Sequence, residues 1–175
     1  MENINWVIDP AHSAVQFKVK HLMIATLTGR FDEITGTVEA SDNFENAKFS
    51  FSANVNSINT NDEHRDTHLK SADFFEAEKF PKLSFTSTRF TKTADTKFEL
   101  TGNLTIKDVT KPVVLNVEYG GMATDPWGNV KAGFELKGKI NRKDFGLLWN
   151  DTIEAGGTMV SEEVALIANI ELLKK

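Results

Sequence analysis

Apolar and polar residues alternate along most of this 175-residue chain. In FELTGNLTI (98–106), the apolar residues and one glycine hold every second position, and Glu, Thr and Asn hold the positions between them. FSFSANV (49–55), VKAGFELKGKI (130–140) and VALIANIEL (164–172) follow the same rule. A period of two predicts strands with one apolar face and one polar face, as in antiparallel sheets.

The alternating segments are separated by turn-like stretches and predict about eight strands. Glycines lie within several of these strands, where they favour the bulges and coiling that close a barrel. We therefore predict an all-β, eight-stranded antiparallel barrel that forms a single domain over residues 1–175. A two-sheet sandwich is the alternative. The predicted strands are 4–8 together with 12–20, 26–40, 47–58, 82–91, 96–107, 111–120, 129–141 and 159–173.

One segment, TNDEHRDTHLKSA (60–72), breaks the alternation and predicts a short helix. Its first residues match a capping box, with Thr60 as N-cap. One face of this helix carries its only leucine together with His64, Arg65 and His68. If the leucine points into the barrel, these three polar side chains point the same way.

The spacing of His64 and His68 admits several interpretations. Histidines four residues apart on a helix can bind zinc, but HRDTH lacks the glutamate of the HExxH motif. The pair could act in acid–base catalysis, although the chain has no nucleophile motif such as GxSxG. With Arg65, the pair could instead bond loop carbonyls and seal the barrel end. They could also hold the polar end of a ligand.

Composition narrows the function classes. The net charge is -5 without a basic block, which argues against nucleic acid as a partner. The absence of cysteine excludes disulfides and thiolate chemistry. No apolar run approaches the ~20 residues of a membrane helix, so we expect no membrane insertion. The N-terminus lacks the features of a signal peptide, which predicts a cytoplasmic location for the chain as given, or a periplasmic or secreted one for a processed form.

Six segments, taken in order, resemble those of the YceI-like family. They are IDPAHSAVQFKVKH, GRF, NDEHRDTHLKSADFFEAEKFPKLSF, LTGNLTIKDVTKPVVL, INRKDFGL and VSEEVALIANIEL. The resemblance covers nearly the whole chain, and the third and fourth segments are its most specific parts. It implies a lipocalin-like, eight-stranded barrel with the helix of residues 60–72 packed near the barrel mouth. It also implies that the barrel binds polyisoprenoids or similar lipids, commonly as a homodimer. It implies no catalytic residues.

Residue pattern and resemblance together predict non-catalytic binding, sequestration or transport of a long apolar ligand inside the barrel. No metal or cofactor is expected beyond such a bound lipid. The alternatives are a hydrolase-type enzyme that uses His64 and His68, and a packed barrel that acts as an interaction module. Candidate contacts for a ligand's polar head are His64, Arg65, His68, His12 and His21. The predicted apolar lining is Phe17, Val19, Phe31, Phe49, Phe51, Val55, Phe74, Phe75, Phe85, Leu104, Ile106, Phe134, Leu136, Phe145 and Trp149.

Overall fold

Eleven strands and one α-helix make up the part of the chain that the structure, a computed structural model, describes: residues 3–150 and 159–175. Three short 3₁₀ helices join some of these elements. The helix α1 spans Glu63–Lys70. The strands are β1 Ile4–Ile8, β2 Ala14–His21, β3 Ala25–Phe31, β4 Ile34–Ala40, β5 Lys48–Asn54, β6 Ile58–Asn59, β7 Lys82–Ala94, β8 Lys97–Ile106, β9 Val109–Thr124, β10 Val130–Asn141 and β11 Glu163–Lys174.

The sheet closes into a barrel because β11 pairs with β1 as well as with β2 and β10. Every strand pair is antiparallel. β1 and β2 lie end to end along β11, and β4 and β3 pair with them in turn. β5 and β6 then pair with β4 and β3. Each of these three pairs of short strands occupies one strand position of the barrel, and β7 to β11 occupy the other five. The structure thus confirms the predicted eight-stranded antiparallel barrel.

Aromatic rings fill one end of the barrel. Phe44, in the loop after β4, is 1% exposed and lies with its ring centroid 5.2 Å from that of Trp6 and 5.0 Å from that of Phe134. Phe49 continues this cluster through Phe90, whose ring stacks on that of Phe98. We call this the closed end. The opposite end, where β2, β10 and β8 finish, is the mouth.

The helix is shorter than the predicted 60–72. Asp62, not Thr60, is its N-cap, because the Asp62 carboxylate accepts a hydrogen bond from the Arg65 amide. Asn61 has a φ of 64°, which lies outside the helical region. Thr60 instead donates its hydroxyl to the carboxylate of Asp66. None of the described helices is both long and apolar enough to cross a membrane.

Candidate functional site

A cavity of about 520 Å³ opens at the mouth of the barrel. This volume lies within the usual range of small-molecule sites. β2 and β11 contribute most of its wall, and β3, β7, β8, β9 and β10 contribute the rest together with one residue of β5. Its rim includes α1 and the segments around Leu147 and Met159. The apolar residues in the wall that the sequence prediction did not include are Val15, Leu27, Leu69, Leu83, Val113, Leu115, Ile140, Met159, Val160, Val164, Leu166, Ile167 and Ala168.

Most of the predicted lining residues lie in the cavity wall. Phe74 and Phe75, which follow α1, reach it from the rim, and Trp149 lies beside Phe74 with ring centroids 5.4 Å apart. The strand residues in the wall that the sequence predicted are Phe17, Val19, Phe31, Phe51, Phe85, Leu104, Ile106 and Leu136. Their ligand-binding role stays a prediction.

Four predicted lining residues do not contribute to the cavity wall. Phe49 and Phe134 belong to the aromatic cluster at the closed end, with their ring centroids 6.3 Å apart. Val55 and Phe145 lie in the short 3₁₀ helices that follow β5 and β10, and each is only 2% exposed. These four apolar side chains therefore pack in the hydrophobic core and not in the cavity wall.

Two glycines make room for aromatic rings in the cavity wall. Phe17 pairs with Gly29 across β2 and β3, and a Cβ at Gly29 would lie 2.2 Å from Cζ of the Phe17 ring. Phe85 on β7 lies diagonally across from Gly102 on β8, and a Cβ at Gly102 would lie 2.3 Å from Cζ of its ring. Both rings thus lie against a neighbouring strand at a position where glycine leaves room for them.

One face of α1 carries His64, Arg65, His68 and Leu69 into the cavity lining, as the helical periodicity predicts. The Arg65 guanidinium is already engaged: Nε donates to Oγ1 of Thr60 at 2.8 Å, and Nη2 donates to the Thr60 carbonyl at 2.7 Å. Arg65 therefore ties α1 to the chain end of β6, which is the sealing role that the sequence allowed.

His68 is also engaged. Its Nε2 lies 2.8 Å from Oδ2 of Asp73, and its ring packs edge-on against Phe74 and Trp149, with centroids at 5.1 and 4.8 Å. This contact joins α1 to the segment that follows β10. The cluster of metal-compatible side chains found among the described residues includes neither His64 nor His68.

His64 and His21 differ from these two residues. Within the described part of the chain, neither imidazole makes a hydrogen bond, and both line the cavity. Lys20 lines it as well and donates its ammonium to the hydroxyl of Thr26 at 3.1 Å. These polar groups at the mouth keep hydrogen-bonding capacity for a ligand.

The structure places His12 away from the mouth, against the prediction that it contacts a head group. Its Nδ1 lies 2.8 Å from Oδ2 of Asp9, which also accepts a 2.6 Å hydrogen bond from Nζ of Lys131. These bonds, chiefly that from Lys131, lower the pKa of the Asp9 carboxyl to about 2. Asp9, His12 and Glu171 are grouped closely enough to hold a cation, but the Lys131 ammonium already lies between the two acids.

Arg142 is a residue of the site that sequence reasoning missed. It is 3% exposed, lines the cavity and donates to four main-chain carbonyls. Its Nη1 bonds Leu147 and Trp149 at 2.6 and 2.8 Å, while Nε and Nη2 bond Ser161 and Val160 at 2.8 and 3.3 Å. Burial lowers the pKa of the guanidinium. One buried arginine thus holds two segments of the rim together.

The YceI-like domain family matches residues 6–172 of the chain. A curated relative, the protein YceI of Salmonella newport (strain SL254), is 42% identical over 161 residues, which is 91% of this chain and 81% of that protein. Among solved structures, the YCEI protein of Campylobacter jejuni is 34% identical, with a TM-score of 0.77 over 90% of this chain and 91% of that one.

Two more distant structures share the fold. BcnA of Burkholderia cenocepacia has a TM-score of 0.82 at 20% identity and covers 94% of this chain and 98% of its own. A polyisoprenoid binding domain from Saccharophagus degradans, implicated in plant cell wall breakdown, has a TM-score of 0.69 at 16% identity over 97% of this chain and 98% of that one. At these identities the likeness concerns the barrel architecture alone.

Proposed function

The chain belongs to the YceI-like family, and we propose that it binds a long apolar molecule of the polyisoprenoid or a similar lipid class inside its barrel. The observation that carries this proposal is the apolar cavity of about 520 Å³ at the mouth. The polyisoprenoid binding domain that shares the fold supports the choice of ligand class. The protein holds or carries this ligand and does not transform it.

Binding draws its free energy from burial of the ligand's tail. Each buried CH₂ group contributes roughly 0.8 kcal/mol, so a long tail needs few polar contacts. Ordering the tail and losing its translational freedom offset much of that sum. The rings of Phe17 and Phe85 lie over glycines, and the wall is therefore in place before the ligand arrives, which limits the ordering cost.

A polar head would lie at the mouth, within reach of His64, His21 and Lys20. Arg65 and His68 take the sealing role, because their donors already bond Thr60 and Asp73. His64→Ala should therefore weaken binding of a lipid that carries a head group more than binding of the matching hydrocarbon. An equal loss for both ligands would contradict the head-group contact.

The test of the cavity uses delipidated protein and a pair of matched variants. Ala168 lies in the wall of the cavity, whereas Asn169, the next residue on β11, is exposed. Ala168→Trp fills the cavity and should abolish binding of a polyisoprenoid alcohol measured by native mass spectrometry, while Asn169→Trp should bind like the wild type. Equal binding by both variants would place the ligand elsewhere.

The same spectra test the non-catalytic role, because the ligand should be released with its mass unchanged after long incubation. Conversion of the ligand, lost in His64→Ala or His68→Ala, would favour an enzyme instead.

The homodimer that the resemblance implies stays a prediction, which sedimentation of the purified protein would check.

A further inference from the structure

Large apolar side chains are exposed around the mouth. Ile24, at the turn between β2 and β3, is 83% exposed, and its neighbour Met23 is 56% exposed. Leu148 is 62% exposed and lies between Leu147 and Trp149, which both line the cavity. We call Met23, Ile24 and Leu148 the mouth rim. The other large apolar residues that are exposed in the described chain lie on β9 and the turn after it, and they are Val114, Met122 and Trp127.

The backbone of the β2–β3 turn is unusual for the residues that it carries. Leu22 and Met23 have φ angles of 53° and 62°, and the Ile24 amide donates to the His21 carbonyl at 3.1 Å. Tight hairpin turns with two positive φ angles favour Asn and Gly. An apolar Leu-Met pair is disfavoured there by backbone sterics, and the Met23 side chain is also exposed to water.

One exposed basic side chain lies at the mouth. Among the charged residues that line the cavity in the described chain, Arg142 is buried and Arg65 lies 3.9 Å from the carboxylate of Asp62, whereas Lys20 is exposed. The Leu22 amide donates to the Met159 carbonyl at 2.8 Å, which fixes the β2–β3 turn beside the mouth. Apolar side chains next to basic ones are the combination that anionic membrane surfaces attract.

We propose that the mouth rim docks the protein on an anionic lipid bilayer, with Ile24 and Leu148 in the boundary between head groups and acyl chains. Docking in this orientation faces the cavity opening towards the membrane. It is peripheral contact and requires no membrane-spanning segment. Transfer of a ligand between the membrane and the docked cavity rests on the proposed function, whereas docking itself is tested without any ligand.

The docking experiment measures sedimentation of delipidated protein with vesicles of phosphatidylcholine and phosphatidylglycerol. The double variant Ile24→Ser, Leu148→Ser should bind these vesicles at least about tenfold more weakly than the wild type. The matched control is Trp127→Ser, because Trp127 is also 83% exposed but lies at the other end of the barrel. The control should bind like the wild type.

Three results would overturn docking: no binding of the wild type, undiminished binding of the double variant, or an equal loss in the control. Vesicles of phosphatidylcholine alone should bind more weakly than the mixed ones, because Lys20 attracts anionic head groups, and equal binding would contradict that electrostatic contribution. Binding of a short, water-soluble isoprenoid alcohol distinguishes failure of membrane docking from failure of the proposed ligand-binding function. The double variant should bind that alcohol like the wild type, and failure of both proteins to bind it contradicts the proposed function alone.

Discussion

The contact between Phe17 and Gly29 makes a single methyl group decisive for the cavity. In Gly29→Ala the new Cβ would lie 2.2 Å from Cζ of Phe17, so the ring must move into the space that a ligand would fill. We expect a loss of roughly 1–3 kcal/mol in the free energy of unfolding, as for other overpacked sites, and a clear drop in ligand affinity. Denaturant titration and a ligand titration measure the two effects.

The control for this prediction is Gly133→Ala on β10. No atom lies within 4 Å of a Cβ at Gly133, and its φ is not positive. The variant should keep both stability and ligand affinity. If Gly29→Ala binds ligand as well as Gly133→Ala does, the Phe17 ring has no part in shaping the cavity.

Arg142 provides the second prediction at this scale. Arg142→Met removes the donor to four buried or half-buried carbonyls, and an unsatisfied buried polar group costs about 1–3 kcal/mol. We expect a loss of about 3 kcal/mol or more, measured by denaturant unfolding. Lys143→Ala, which removes only a surface ion pair with Glu162, should cost less than about 1 kcal/mol. Similar losses in both variants would contradict the bracing role of Arg142.

Single residues also show where sequence reasoning ends. Phe49 and Phe51 lie on the same face of β5, and periodicity treats them alike. Only Phe51 reaches the cavity, because Phe44, in the loop just before β5, packs on Phe134, and Phe134 in turn contacts Phe49. The sequence NRKDF gives no sign that Arg142 is buried, because the carbonyls that it bonds come from residues up to nineteen positions away.

At the scale of elements, the strands could be predicted and the helix only in part. Period-two patterns come from burial of one strand face, and that cause acts along the whole strand. The start of α1 depends instead on competition between two capping residues that are two positions apart. Asp62 prevails because Thr60 is drawn into bonds with Asp66 and Arg65, which are contacts that the sequence does not specify.

The link between β1 and β10 carries a prediction about pH. Lys131 and His12 lower the pKa of Asp9 to about 2 in the folded protein, from 3.8. The stabilisation is therefore complete above about pH 4 and is lost as the pH falls from there towards 2. Asp9→Asn should lower the free energy of unfolding by about 1–2 kcal/mol at neutral pH and should flatten its fall between pH 4 and 2.

The control for this link is Asp42→Asn, which lies at an exposed position in the loop after β4. Unfolding curves at a series of pH values should show the wild-type slope in this variant. A slope in Asp9→Asn as steep as that of the wild type would assign the acid sensitivity to other carboxyls.

Across the whole molecule, packing is divided between a filled end and an open end. Alternation predicted the closed barrel but not this division, because both ends present the same apolar inward face. The division depends on what covers each opening: Phe44 at the closed end, and α1 with its polar face residues at the mouth. The open end therefore carries both the proposed ligand site and the mouth rim.

An open end lined by apolar atoms predicts strong coupling between ligand binding and stability. A ligand that binds only the folded barrel raises the free energy of unfolding by about 2.7 kcal/mol at 100 times its Kd, which corresponds to roughly 5–10 °C in Tm for a chain of this size. Delipidated wild-type protein should show this rise when a polyisoprenoid alcohol is added. Ala168→Trp should unfold at one Tm with or without the alcohol, because its indole occupies the cavity. A similar rise in Ala168→Trp would mean that the stabilising ligand binds outside the barrel.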